Sequence, residues 1–317
     1  MNLVIIGRFP AVTDTQIRAF FPADWEVSIT ESNLAGPYLQ NADALIPEHI
    51  PIGPSFLDKA PKLRMIQTGA GYDNVDLAEC TRRSILVCSA AGVNTAAVAE
   101  HTMALILGWF KNIVYLDSFL KAHRDSRELR YSGGELCGKT AGIIGLGAIG
   151  QRVSSLCRAF GMNVLGYTRH PKSVQGVEAV SLDELLARSD VVSIHVPATP
   201  ETRHMIGRQA FQKMKPSAVL VNTARGSIIR EEDLIEALSD HQIAGACLDV
   251  YEEEPLSQAS RLRELPNVIL TPHTAGYPDG VKLHEKRYSF FSSNIRQAWS
   301  GEMPANLLNR DAWKAWR

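Results

Sequence analysis

The run Thr140-Ala141-Gly142-Ile143-Ile144 passes without a gap into Gly145-Leu146-Gly147-Ala148-Ile149-Gly150 and then into a stretch of helical period. This junction constrains the fold more than any other feature of the chain. A buried strand that turns sharply into a helix needs glycine at the turn, here Gly145. A second glycine, Gly147, lets a pyrophosphate approach the backbone, and a third, Gly150, lets helix and strand pack closely. Ala148 and Ile149 open the helix, whose first N–H groups and partial positive charge suit phosphate. The spacing therefore predicts a dinucleotide site at residues 145–150.

Short Val- and Ile-rich runs recur on either side of this junction, separated by helix-periodic segments, as in βαβ units around parallel sheets. One series holds Leu3–Ile6, Glu26–Thr30, Ala44–Ile46, Leu63–Gln67 and Leu86–Ser89. A second holds Thr140–Gly145, Asn163–Tyr167, Val191–Val196, Ala218–Asn222, Ala244–Asp249 and Val268–Thr271, with helices such as Ile149–Phe160 and Glu231–Ser239 between them. These are the six strands of a complete dinucleotide fold. A chain of 317 residues also suits about two domains. The expected class is α/β, with two Rossmann-like or flavodoxin-like domains built on parallel sheets. Between the series lies Asn94–His123, apolar on several faces and capped at Asn94 or Thr95, which reads as a long helical segment. So broad an apolar surface needs a cover, either the core or the same helix of a second copy, and a two-fold homodimer is expected.

Charge and cysteine content narrow the function. Lys and Arg number 33 against 34 Asp and Glu, so the net charge of -1 gives no field favouring nucleic acid or an anionic membrane. The apolar start Met1–Ile6 is ended by Gly7-Arg8 and is too short for a signal segment, and Met103–Phe110 is too short for a span. Five scattered cysteines without a Cys-x-x-Cys pair predict reduced thiols of a cytoplasmic protein and no metal cluster.

After the second strand of a dinucleotide fold, a carboxylate about 20 residues beyond the glycines would bind the ribose 2′-hydroxyl of NAD. Here Asn163–Tyr167 runs into Thr168-Arg169-His170-Pro171 with no carboxylate. Arg169 offers a planar cation and Thr168 a hydroxyl to a 2′-phosphate, which favours NADP over NAD. Three polar residues follow the late strands, where open α/β sheets hold ligands: Arg225, Glu254 and His273; taken singly, each reads more simply as a surface arginine, one of three consecutive solvated glutamates and a histidine capping a loop. His195 and Thr202 follow another strand end and suit either cofactor contact or local capping.

The chain resembles the D-isomer-specific 2-hydroxyacid dehydrogenases. The resemblance rests on Gly69-Ala70-Gly71-Tyr72-Asp73-Asn74-Val75-Asp76, Val98-Ala99-Glu100-His101 and the glycine junction. It continues through His195-Val196-Pro197 with Thr199-Pro200-Glu201-Thr202, Asn222-Thr223-Ala224-Arg225-Gly226, Leu248-Asp249-Val250 with Glu254-Pro255, and Pro272-His273-Thr274-Ala275-Gly276. It implies that Arg225, Glu254 and His273 form a catalytic trio, with Glu254 preferred to Glu252 and Glu253 because it directly precedes the proline. It also implies cofactor contacts from Thr223, Ala224 and Asp249, and substrate contacts from Ala70, Gly71 and Arg225. Its domain plan is discontinuous: residues 1–95 and 286–317 bind substrate and residues 96–285 bind NAD(P). Thr168 departs from the family's common pattern, which has Asp there in NAD users.

These residue types suit reduction of a 2-oxo acid to a D-2-hydroxy acid. A hydride must reach C2, a proton the forming alkoxide and a fixed cation the carboxylate. His273 can give the proton, Glu254 can orient the ring and favour its charged form, and Arg225 stays charged at any working pH. A formate- or phosphite-type dehydrogenase on the same scaffold is the near alternative. A non-catalytic, NAD(P)-sensing protein like the family's corepressors is the distant one.

Overall fold

The structure is a computed structural model and describes residues 1–7, 11–47, 50–129, 133–170, 172–276 and 281–316. Its contacts divide into two compact units, Met1–Asn94 with Asp279–Arg317, and Thr95–Pro278.

In the first unit, β1 (Asn2–Ile6), β2 (Glu26–Thr30), β3 (Ala44–Pro47), β4 (Met65–Gln67) and β5 (Leu86–Cys88) form one sheet. The order is β2-β1-β3-β4-β5 and every pairing is parallel, the flavodoxin-like arrangement. Alternation along β1 feeds two cores: Leu3 and Ile5 belong to one cluster, Val4 and Ile6 to the other. The helix Val281–Trp299 covers the first cluster with Tyr288, Phe291 and Ile295, all fully buried. Their spacing of three and four residues places them on one helical face, and burying each contributes about 1.5–3 kcal/mol. The last residues are tied to the same sheet, since Val87 N–H donates to Asn309 Oδ1 (2.9 Å). Trp313 is buried in that core, a packing role like the one lone aromatics usually have.

The second unit holds β6 (Thr140–Ile144), β7 (Asn163–Tyr167), β8 (Glu178–Ala179), β9 (Val191–Ile194), β10 (Val219–Asn222), β11 (Gly245–Leu248) and β12 (Val268–Leu270). The order is β12-β11-β10-β9-β6-β7-β8, parallel throughout. This is the doubly wound dinucleotide topology, whose order reverses between β6 and β9. The sequence pattern shows six of these strands; β8 has only two residues and no apolar run to reveal it.

The segment expected as one long helix is two, Thr95–Phe110 and Ile113–Lys121, bent by 60°. Asn112 causes the break by adopting the left-handed conformation (φ 51°), which cannot continue a helix. Ala99, Met103, Leu105 and Ile106 of the first helix lie in the core under β6 and β10. Among the described residues, no single helix is long and apolar enough to cross a membrane.

Candidate active site

The glycine junction has the shape its spacing predicts. Gly145 has φ 98°, and a Cβ there would meet the His195 carbonyl oxygen at 2.5 Å. A Cβ on Gly150 would meet the Gly145 carbonyl oxygen at 1.9 Å, so helix and strand touch there. Gly147 caps the helix Ala148–Ala159, and a Cβ placed on it would have no neighbour within 4 Å; both Gly147 and Ala148 are exposed. Its surroundings leave space above the helix N–H groups, the cradle a pyrophosphate requires, and the residues present fit a dinucleotide. Ile149 is partly buried.

At the end of β7, Thr168 is half-buried and Arg169 exposed, with Arg169 Nη1 4.0 Å from Glu201 Oε2. His195 directly follows β9; desolvation pushes its imidazole down to about 3, so it is neutral, and Ser193 Oγ lies 2.9 Å from its Nε2. Thr202 closes a local turn, its hydroxyl donating to Pro197 O (2.7 Å) and accepting from Thr199 N–H (2.8 Å). Ala70 and Gly71 lie in the loop after β4, in the first unit.

The sheet's other half brings the trio's strand ends together. Arg225 follows β10 in a turn clipped by the buried Asn222, whose Nδ2 donates to Arg225 O (2.9 Å) and whose Oδ1 accepts from Ala224 N–H (3.0 Å). Thr223 lies in the same turn, 2.9 Å from Thr102 Oγ1. Gly226 allows a very close approach: a Cβ there would fall 1.8 Å from Tyr251 C and O. Tyr251 reaches the other two loops as well, its N–H donating to Glu254 Oε1 (3.2 Å) and its hydroxyl to Thr271 O (2.8 Å).

Glu254 and His273 meet directly, with Nδ1 2.5 Å from Oε2 and both side chains about one-third exposed. Burial pushes the Glu254 carboxyl up. The His273 hydrogen bond and charge, the Tyr251 N–H and the Arg225 cation outweigh burial and hold it below the usual carboxylate range. Glu252 instead lies 2.5 Å from His204 Nε2 and accepts from Glu231 N–H (3.2 Å), so it serves a different pair.

His273 sits at φ 53°, a conformation that costs a β-carbon residue energy and must be held by its surroundings. Asp249, fully buried after β11, holds it: His273 N–H donates to Asp249 O (2.8 Å). The Asp249 carboxylate accepts from Thr274 N–H (2.9 Å), Ala275 N–H (2.8 Å) and Thr271 Oγ1 (2.6 Å). These ties, and those of Asn222 and Tyr251, escaped sequence reasoning. Their only signal is polar residues at strand ends that cannot be left unpaired once buried.

A family profile described as "D-isomer specific 2-hydroxyacid dehydrogenase, NAD binding domain" matches residues 103–275. The chain belongs to the D-isomer-specific 2-hydroxyacid dehydrogenase family. Among its relatives is a glyoxylate reductase of Thermococcus litoralis, 41% identical over 270 residues that cover 81% of this chain and 80% of the relative. The D-lactate dehydrogenase of Aquifex aeolicus, solved with NAD and lactic acid, superposes with a TM-score of 0.88 at 30% identity, covering 97% of this chain and 99% of that one. An acyclic imino acid reductase solved with NADPH and D-Arg gives a TM-score of 0.86 at 28% identity, covering 97% and 100%. For this dehydrogenase-family chain, the matched profile is that of an NAD binding domain, and the two solved structures hold NAD and NADPH.

Proposed function

We propose that the protein reduces small 2-oxo acids, such as glyoxylate or hydroxypyruvate, to D-2-hydroxy acids, reversibly, with NADPH preferred to NADH. The observation that carries this reading is the 2.5 Å contact of His273 with Glu254 beside Arg225. The bound nicotinamide supplies the hydride to C2. His273 gives the proton to the forming alkoxide; with Nδ1 committed to Glu254, the transfer runs through Nε2. Arg225 holds the substrate carboxylate and polarises the carbonyl, and the Ala70 and Gly71 amides are the further anion contacts that the family resemblance implies. Oxidation of NADPH and NADH against a panel of 2-oxo acids tests the assignment; no turnover with any of them would overturn it.

Cofactor choice rests on the Thr168-Arg169 loop, where the strand end itself carries a hydroxyl and a cation and no carboxylate, although Glu201 Oε2 lies 4.0 Å from Arg169 Nη1. NADPH is expected to give the higher kcat/KM. Thr168→Asp should move the preference toward NADH by about tenfold or more, because the new charge repels a 2′-phosphate. A wild-type preference for NADH would show that Arg169 does not serve the phosphate.

A homodimer accounts for the helix Ile113–Lys121, which exposes Ile113 (55%), Val114 (54%), Tyr115 (45%) and Leu120 (61%). Apolar side chains this clustered mark an interface. Light scattering should give twice the chain mass, and Leu120→Glu should give a folded monomer; a wild-type monomer would remove the proposal. We place the protein in the cytoplasm on its unpaired thiols. Cys80, Cys88, Cys157 and Cys247 are buried, and burial pushes the first three up to about 12.

A further inference from the structure

The helix Thr95–Phe110 touches two of the catalytic strand ends through consecutive residues. His101 Nε2 lies 3.1 Å from Thr271 Oγ1 and 3.5 Å from Asp249 Oδ1. Thr102 Oγ1 lies 2.9 Å from Thr223 Oγ1 in the turn that presents Arg225. Hydrogen counting fixes the direction of both chains. Thr271 has one hydroxyl hydrogen and gives it to Asp249 at 2.6 Å, so its oxygen must accept from His101, which therefore carries its proton on Nε2. Thr102 gives its hydrogen to Val98 O at 2.7 Å, so it accepts from Thr223.

The buried Asp249 carboxylate matters because it holds Thr271, Thr274 and Ala275, on both sides of His273, in the turn that keeps His273 in its left-handed conformation. His101 brings its Nε2–H to within 3.5 Å of that carboxylate. A hydrogen bond lost from a buried carboxylate is costly, and the bond that His101 gives to the Thr271 oxygen polarises that hydroxyl and strengthens its donation to Asp249. Without that donor the Thr271 oxygen is left unsatisfied and this anchor of the His273 turn is weakened.

We infer that His101 is a positioning residue for His273, and Thr102 for Arg225, so that this one helix sets the spacing of acid and cation. The inference rests on His273 being the proton donor. It adds that donor geometry is imposed from a helix that contributes no group to the chemistry. A displacement of about 1 Å at a reacting group costs on the order of 10²-fold in rate.

The test compares His101→Leu, His101→Gln and His273→Ala in the full-length protein, measuring kcat, KM for the best 2-oxo acid, cofactor Kd and Tm. Leucine keeps the volume and removes the donor, whereas the Gln amide nitrogen can occupy the place of Nε2. We expect His101→Leu to lower kcat by about 10²-fold with cofactor Kd changed less than about threefold, and His101→Gln to recover at least about a tenth of wild-type kcat. Should His101→Leu remain folded with full kcat, the positioning role is wrong. It is also wrong if Gln and Leu are equally impaired, since restoring an N–H donor would then restore nothing. If leucine fails to fold, the Gln variant and Thr271→Val decide, because valine also breaks the donor chain and should lose kcat to the same degree. Full turnover in His273→Ala would instead overturn the underlying assignment of the proton donor.

Discussion

His273→Ala should lower turnover by about 10²- to 10⁴-fold, the usual contribution of a positioned general acid, while cofactor affinity changes little. The alkoxide that forms as hydride arrives would then have to take its proton from water. The Glu254 partner makes a second, independent reading possible. Its carboxyl is held below the usual range despite burial, so it is ionised throughout the neutral region, 2.5 Å from His273 Nδ1. Glu254→Gln keeps the ring's hydrogen-bond partner but removes that charge. Wild-type activity should therefore fall as pH drops through the lowered carboxyl value and its charge is lost, whereas the variant, with no carboxyl to protonate, should lack that acid-side fall and be slower at neutral pH. Rate-against-pH profiles of wild type and variant check the sign. An acid limb that stays in place in the variant would show that another group produces it. Wild-type turnover in His273→Ala would leave the nucleotide-sensing alternative as the better account of the fold.

Much of the fold is legible in the sequence because parallel strands buried on both faces write themselves as short continuous Val and Ile runs. That pattern and helical period place residues 163–167 and 231–239 to the residue, as strand and helix. The pattern fails where an element lacks its own core. The two-residue β8 contributes no buried apolar side chain, and the break at Asn112 depends on one backbone angle rather than on any change in hydropathy. The site divides in the same way. Arg225, Glu254 and His273 lie in loops that follow strands, where any one of them alone reads as a solvated loop residue; the family resemblance marks them as a trio and prefers Glu254 to Glu252. In the structure Glu252 lies on His204 and Glu254 on His273. The supports stay hidden, since they join residues far apart in the chain: Thr271 is 22 residues from Asp249 and 170 from His101. Nothing local in composition or period encodes such pairs; only the strand order brings them together.

Arg225→Ala is expected to affect both substrate affinity and rate, because a carboxylate clamp acts in the ground state and the polarised carbonyl acts in the transition state. Losing a charged donor at a developing oxyanion costs on the order of 10²- to 10³-fold in kcat, and the lost carboxylate contact raises KM for the 2-oxo acid besides. Arg225→Lys separates charge from shape. The turn that presents Arg225 is fixed by the Asn222 clip, by the close approach of Gly226 to Tyr251, and by Arg225 Nη1 donating to Ala224 O (2.7 Å). A lysine there leaves the Asn222 and Gly226 ties in place and keeps the charge, but loses the planar pair of donors and the bond to Ala224 O, so it should restore part of the KM and little of the kcat. Steady-state kinetics with the best 2-oxo acid, alongside cofactor titration, distinguish these effects. If Arg225→Lys behaves as wild type, a point charge suffices and bidentate recognition is wrong. If Arg225→Ala changes neither constant, the substrate's anion is held elsewhere, and the proposed 2-oxo acid chemistry loses the group that most directly defines its substrate class.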